Sequence, residues 1–182
     1  IAIVTTSAET GEGIPTLLLV LVGLVNQYLQ NQIKYTEGPA KGVVLEVKKE
    51  KGYGRTLDVI LFDGHLEKGQ QIVLGGLNGP VLTHVRAMLT PKDLDEIRDP
   101  TQKFTSNEII HAAAGLKILA PDIEDVIAGS PIRAVGEDED PEDVIAMIEE
   151  ELNAISVDTE DEGIILKADT LGSLEAAIDL FN

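Results

Sequence analysis

The sequence predicts a mainly β chain, with a barrel or sandwich over residues 41–135 and a fragment of α/β structure at each end. Three observations predict it. Residues 41–135 break into short β-branched runs punctuated by Gly, Pro, Asn and Asp, the rhythm of antiparallel strands. Ahead of them, the run Ile3-Val4-Thr5-Thr6 meets a Gly-containing turn and then a long apolar pattern of helical period, a strand-to-helix order. Behind them, Ile164-Ile165-Leu166 reads as a strand and Thr170-Leu171-Gly172-Ser173 opens a helix.

Pro15 stands where a first-turn proline is tolerated, and Leu17, Leu18, Leu21, Leu24, Val25, Tyr28 and Leu29 follow at helical spacing. A helix of about 20 residues is expected here, apolar enough to be buried on more than one side. Residues 35–40, with Gly38-Pro39, read as a linker. The strand Gly42-Val43-Val44-Leu45-Glu46-Val47 leads into a basic, Gly-rich turn at 48–54, and the return run 56–62 ends at Asp63-Gly64. Residues 66–69 are a turn before the strand Ile72-Val73-Leu74. Leu77-Asn78-Gly79-Pro80 separates that strand from one at 81–88, where Val81, Thr83, Val85 and Ala87 alternate with Leu82, His84, Arg86 and Met88. Residues 90–105 form a polar excursion. Strands resume at 113–119 and 131–135, around a short turn or helix at 121–126. Beyond Gly136 a helix starts near Pro141, with Val144, Ile145, Ile148 and Leu152 on one face. The chain opens on Ile1 and closes within a helical pattern at Leu180-Phe181-Asn182, so both ends read as cut.

The formal charge of −18 is unevenly spread. Residues 137–162 hold thirteen carboxylates and no Lys or Arg, whereas residues 38–136 hold thirteen carboxylates against twelve basic side chains. The barrel is thus nearly neutral and free to meet a polyanion locally, while 137–143 is expected to be a solvated, mobile linker. The absence of Cys excludes disulfides and thiolate metal sites and agrees with a cytoplasmic location. The longest apolar run, residues 17–25, falls short of the roughly 20 residues that span a bilayer, so no membrane partner is expected. Three Tyr, three Phe and no Trp argue against a base-stacking platform.

A phosphate-cradling GxxxxGK[ST] loop is absent, as is any Asn-Lys dipeptide, so neither the phosphate nor the base-reading motif of a GTPase lies in the chain. His65, His84 and His111 show no metal spacing, and Ser130 lacks a nucleophile elbow. No catalytic residue and no metal site is expected. One regulatory alternative stays open. Asp158, Glu160, Glu162, Gly163, Ile165 and Asp169 occupy positions 1, 3, 5, 6, 8 and 12 of a calcium loop, although position 12 lacks its bidentate Glu. That reading makes the chain an acidic calcium-binding module. The compact basic feature is Lys48, Lys49, Lys51 and Arg55 at one hairpin tip. Such a cluster is either a solvated turn or a set of point charges for a phosphate backbone.

Four segments resemble one family. Ser7-Ala8-Glu9 resembles the last guanine-contacting loop of a GTPase, with Glu9 where that family carries Lys or Arg. Gly54-Arg55-Thr56-Leu57-Asp58-Val59-Ile60-Leu61-Phe62-Asp63-Gly64, with Lys68-Gly69, resembles the second-domain barrel of translational GTPases. Ala114-Gly115-Leu116-Lys117-Ile118, Ala120-Pro121-Asp122-Ile123 and Ala128-Gly129-Ser130-Pro131 resemble the end of that barrel in archaeal and eukaryotic initiation factor 5B. Lys167-Ala168-Asp169-Thr170-Leu171-Gly172-Ser173-Leu174-Glu175-Ala176 is similar to the opening of that factor's third domain, shared with bacterial initiation factor two.

The resemblance implies a division into the end of a G domain (1–35), the domain II β-barrel (36–136), an acidic linker and helix (137–157) and the first βα unit of an α/β domain III (158–182). It implies a parent that uses GTP and magnesium to promote joining of ribosomal subunits and initiator tRNA positioning. This chain would be a connector without catalysis or cofactor of its own. Its partners would be the rest of the G domain, the C-terminal domains and small-subunit rRNA. Ser7, Ala8 and Glu9 would be a remnant of the guanine loop, and Lys48, Lys49, Lys51 and Arg55 the rRNA contacts.

Overall fold

The computed structural model describes residues 2–30, 34–50, 52–92, 104–155 and 166–181. The chain separates into two compact units, Ile1–Tyr35 and Thr36–Asn182.

In the first unit, residues 7–12 form a hydrogen-bonded turn that leads into helix α1, Ile14–Tyr28. The expected 20-residue helix is 15 residues long, with Pro15 in its first turn and the Leu29 N–H bonding back to the Val25 carbonyl. No side chain of α1 is buried. The run Ile3-Val4-Thr5-Thr6 carries no strand pairing among the described residues. A β-branched run becomes a strand only beside a neighbour that accepts its ladder bonds.

The second unit is built on an eight-stranded antiparallel sheet in the order β5-β4-β10-β1-β2-β9-β6-β7, with a small ladder of β3 and β8. The long hairpin comprises β1, Lys41–Glu50, and β2, Gly54–Asp63. β3 is His65–Glu67, β4 is Gln71–Gly76 and β5 is Gly79–His84. β6, Ala87–Pro91, pairs with β7, Phe104–Asn107. β8 is Ile109–His111, β9 is Ala114–Leu119 and β10 is Pro131–Ala134. The period-2 pattern reads out directly: Leu57, Val59 and Leu61 of β2 point inward with Ile118, Ile72, Leu74 and Ile132, while Asp58, Ile60 and Phe62 point outward.

Two departures from the expected strands have local causes. The run expected as one strand at 81–88 breaks at Val85-Arg86, where the chain changes partners. Up to Val85, whose N–H bonds to the Gln70 carbonyl, it pairs with the β4 side; from Arg86, whose N–H bonds to Leu119, it pairs with β9. The break is thus a corner of the barrel, and Val85 is fully buried in it. The segment expected as a turn at 66–69 begins with β3, which at three residues is too short to show a period.

The acidic segment also differs from expectation. Residues 137–143 are not a free linker but a capped turn running straight into helix α2, Pro141–Ile155. The Gly136 N–H donates to Glu139 Oε2 at 2.9 Å, and the Glu142 N–H donates to Asp140 Oδ1 at 3.0 Å, which caps the helix. Glu142 and Asp143 in the first turn complement the positive end of the helix dipole. α2 then buries Val144 and Ile148 against Val73 and Val135 on the outer face of the sheet, with Ile145 and Leu152 beside them. Carboxylate repulsion is spread over the solvent side, while the apolar face fixes the helix in place.

Helix α3, Leu171–Phe181, is capped by Thr170, whose Oγ1 accepts from the Ser173 N–H at 3.1 Å. The strand expected at 164–166 has its first two residues outside the described residues, and Leu166 is in no strand. No helix among the described residues is long and apolar enough to cross a membrane.

Candidate nucleic-acid interface

Of the four basic residues singled out in the sequence, the three described ones fall into two different surroundings. They lie on the β1–β2 hairpin, whose register sets Lys48 opposite Thr56, Lys49 opposite Arg55 and Glu50 opposite Gly54. Lys51 lies outside the described residues.

Lys48 is already spoken for. Its Nζ is 2.6 Å from Glu46 and 3.3 Å from Asp58, and the hydrogen bonds it donates to Glu46 and then to Asp58 raise its pKa above the ordinary lysine value. Behind it sits a residue that sequence reasoning missed. Lys117 of β9 lies directly opposite Asp58, with Nζ at 2.5 Å from Asp58 and 3.5 Å from Glu50, and its side chain is only 8% exposed. Its ammonium also lies 5.6 Å from the centre of the Phe104 ring. Burial alone would raise the Asp58 pKa, but the hydrogen bond and charge of Lys117, followed by those of Lys48, outweigh it and lower the value. The outer face of β1, β2 and β9 therefore holds a linked charge ladder in which Glu46, Asp58 and Glu50 more than offset Lys48 and Lys117.

Lys49 and Arg55 are different. Both are exposed, and they face each other across the ladder beyond the end of the packed core. Neither is in an ion pair among the described residues. Arg55 Nη1 donates to the backbone carbonyl of Glu124 at 3.1 Å, which orients the guanidinium but leaves its charge uncompensated. Like charges directly opposite on adjacent strands are destabilising, so this pair concentrates positive potential at some cost to the fold.

Of the other predicted site residues, Ser7, Ala8 and Glu9 lie in the turn before α1. Ser7 Oγ accepts from the Thr10 N–H at 3.2 Å, the Ser7 N–H donates to the Glu12 carbonyl at 3.0 Å, and Ala8 and Glu9 are exposed. Asp158, Glu160, Glu162, Gly163 and Ile165 of the calcium pattern lie outside the described residues, and Asp169 is exposed ahead of α3. Among the described residues, no three His, Asp or Glu side chains converge as a metal site.

Comparison with known proteins places this architecture. No family model matches the chain. The chain is 50% identical over 182 residues to the probable translation initiation factor IF-2 of Methanopyrus kandleri, covering all of this chain and 30% of that protein. It is 49% identical over 179 residues to the same factor of Halobacterium salinarum, covering 98% of this chain and 30% of the relative. Among solved structures, GDP-bound aIF5B from Aeropyrum pernix superposes with a TM-score of 0.87 at 48% identity, over 100% of this chain and 30% of that one. The chain thus spans about a third of the length of these relatives and offers no support for the calcium alternative. At half identity along its whole length and with the same fold, the chain is similar to one segment of the archaeal IF-2/aIF5B translation initiation factors.

Proposed function

We propose that this chain is the connecting segment of a GTP-dependent initiation factor that promotes ribosomal subunit joining and initiator tRNA positioning in the cytoplasm, and that its barrel contacts small-subunit rRNA. Within this reading the rest of the G domain and the C-terminal domains are its intramolecular partners. The parent takes GTP and magnesium. The residues present here do not fit the nucleotide: the turn at 7–12 offers backbone donors, but it holds no basic side chain to neutralise phosphate, and its Glu9 and Glu12 would repel it. The chain by itself is therefore expected not to bind guanine nucleotides, and saturable micromolar binding of a fluorescent GTP analogue would refute this.

The observation that carries the rRNA contact is the uncompensated Lys49–Arg55 pair. Phosphates need point charges without a fixed sequence, and each neutralised phosphate adds about 0.9 to the salt slope of binding. Lys48, held by Glu46 and Asp58, contributes less. Charge reversal by Lys49→Glu and Arg55→Glu together in the complete factor is expected to weaken small-subunit association and lower the salt slope by about 2. Lys48→Glu should change the slope far less. A second readout separates function from stability. Lys49→Glu alone replaces a like-charge pair with an opposite one and is expected to stabilise the chain by about 0.2–1 kcal/mol in urea melts while weakening association. A double variant with wild-type affinity and salt slope would move the ribosome contact elsewhere.

A further inference from the structure

The small ladder of β3 and β8 brings together two imidazoles from distant points of the chain. His65 and His111 stand directly opposite in its register, as do Leu66 and Ile110, and Glu67 and Ile109. The Ala112 N–H donates to the Gly64 carbonyl and the Lys68 N–H to the Glu108 carbonyl, each at 2.9 Å, whereas the His65 N–H turns away from β8 to the Gly38 carbonyl at 2.9 Å. His65 and His111 are therefore a non-hydrogen-bonded pair, the position at which facing side chains of antiparallel strands come closest.

Leu66 at 0% and Ile110 at 7% exposure belong to the core and fix the ladder, and strand alternation sends both imidazoles to its outer face. The two ring centres are 5.6 Å apart, with the planes inclined at 40°. An ion about 2.0–2.1 Å from one nitrogen of each ring, in tetrahedral geometry, holds the ring centres about 5.2 Å apart, because an imidazole nitrogen lies about 1.2 Å from its ring centre. The pair thus needs only a small side-chain adjustment to chelate. The surroundings suit a cation. Glu67 Oε1 is 3.9 Å from His65 Nε2, where a carboxylate steadies a ligating ring. His65, Glu67 and Glu137 line a cavity of about 540 Å³, which leaves room for water as the remaining ligands. The charge of Lys68, the residue after β3, is offset by Glu108 at 2.9 Å.

We propose that His65 and His111 form a two-imidazole site for one divalent ion of the zinc, nickel and copper class, completed by water and flanked by Glu67. Imidazole nitrogen selects these ions over magnesium and calcium, which take oxygen ligands. The backbone is already locked in the ladder, so both rings bind without a loop being ordered. The bound ion clamps β3 to β8. The site rests on this ladder alone and is independent of the rRNA reading.

Zn²⁺ titrated calorimetrically into the chain, with millimolar Mg²⁺ present to occupy carboxylates, is expected to bind saturably at one site per chain in the micromolar range. His65→Gln and His111→Gln should each weaken that binding by at least about tenfold, since either leaves a single imidazole. His84→Gln, which removes the exposed histidine of β5, should leave it unchanged. In long-range ¹H–¹⁵N spectra, Zn²⁺ should move the ring nitrogens of His65 and His111 together. By linkage, Zn²⁺ should raise the thermal midpoint of the parent chain but not that of His111→Gln. In a chelator the two should melt alike, because His111 is exposed, so loss of the site is read apart from loss of the fold. Absence of saturable binding below millimolar Zn²⁺ would overturn the site, as would an unchanged affinity in either variant.

Discussion

Gly64→Ala is expected to lower the unfolding free energy of the second unit by about 3 kcal/mol, roughly half from the left-handed backbone and half from overpacking. Gly64 sits at φ +69° between β2 and β3, and a Cβ added there would lie 2.4 Å from the Pro39 carbonyl oxygen and 2.6 Å from that of Gly38. Both neighbours are backbone, so no side chain swings away to relieve the clash. The Gly38 carbonyl also accepts from the His65 N–H at 2.9 Å, and Pro39 bridges His65, so displacing this strand breaks the pairing that closes the barrel at its entry. Urea melts read the change as a lower midpoint at constant slope. Gly115→Ala is the control: it has open space where the Cβ goes and should change stability by less than about 0.5 kcal/mol. Equal effects at the two positions would show that the 38–39 backbone yields.

Lys117→Ala is expected to cost about 2–3 kcal/mol at pH 7, below the full value for a broken buried pair because Asp58 keeps Lys48 as a partner. Lys117→Met, which fills the same space with an apolar chain, should cost less than Lys117→Ala. The pH dependence has a definite sign. Asp58 has a folded pKa below its unfolded value near 3.8, so its contribution is complete above about pH 4 and disappears as pH falls through the folded value. The gap between wild type and Lys117→Ala should therefore narrow in melts at pH 3 compared with pH 7. An unchanged gap would mean that the cost is lost packing on Phe104 and not lost charge.

Most of the barrel was legible because its inward residues alternate over five or more positions, as in Leu57, Val59 and Leu61. α2 was equally legible from Val144, Ile145, Ile148 and Leu152. Where the sequence misled, the deciding partner was remote. Val81 to Met88 alternates without a break, and only the switch from β4 to β9 explains the corner at Val85. The acidic run after Gly136 matches a solvated linker by composition, yet the caps from Glu139 and Asp140 are three- and two-residue contacts that composition does not weigh. At the candidate interface, the hairpin tip was visible but the sorting of its charges was not. Lys117 is 59 residues from Asp58 in the chain, so no local pattern reveals that Lys48 faces a compensated network while Lys49 faces only Arg55.

The sheet order has a consequence for how the molecule is made. β10 lies between β1 and β4, and through residues 131–134 it joins the two halves of the sheet, pairing Lys41 with Arg133 and Leu74 with Ile132. β1 must therefore wait for the last strand of the barrel, some 80 residues later, to leave the ribosome. At roughly 5–20 residues per second this is a delay of roughly 4–16 s, during which one edge of β1 has no native partner. Non-local closure of this kind slows folding far more than local hairpin formation does. The nascent chain is thus expected to hold the β1–β2 hairpin early and to gain a partner on the other edge of β1 only once Ala134 has emerged.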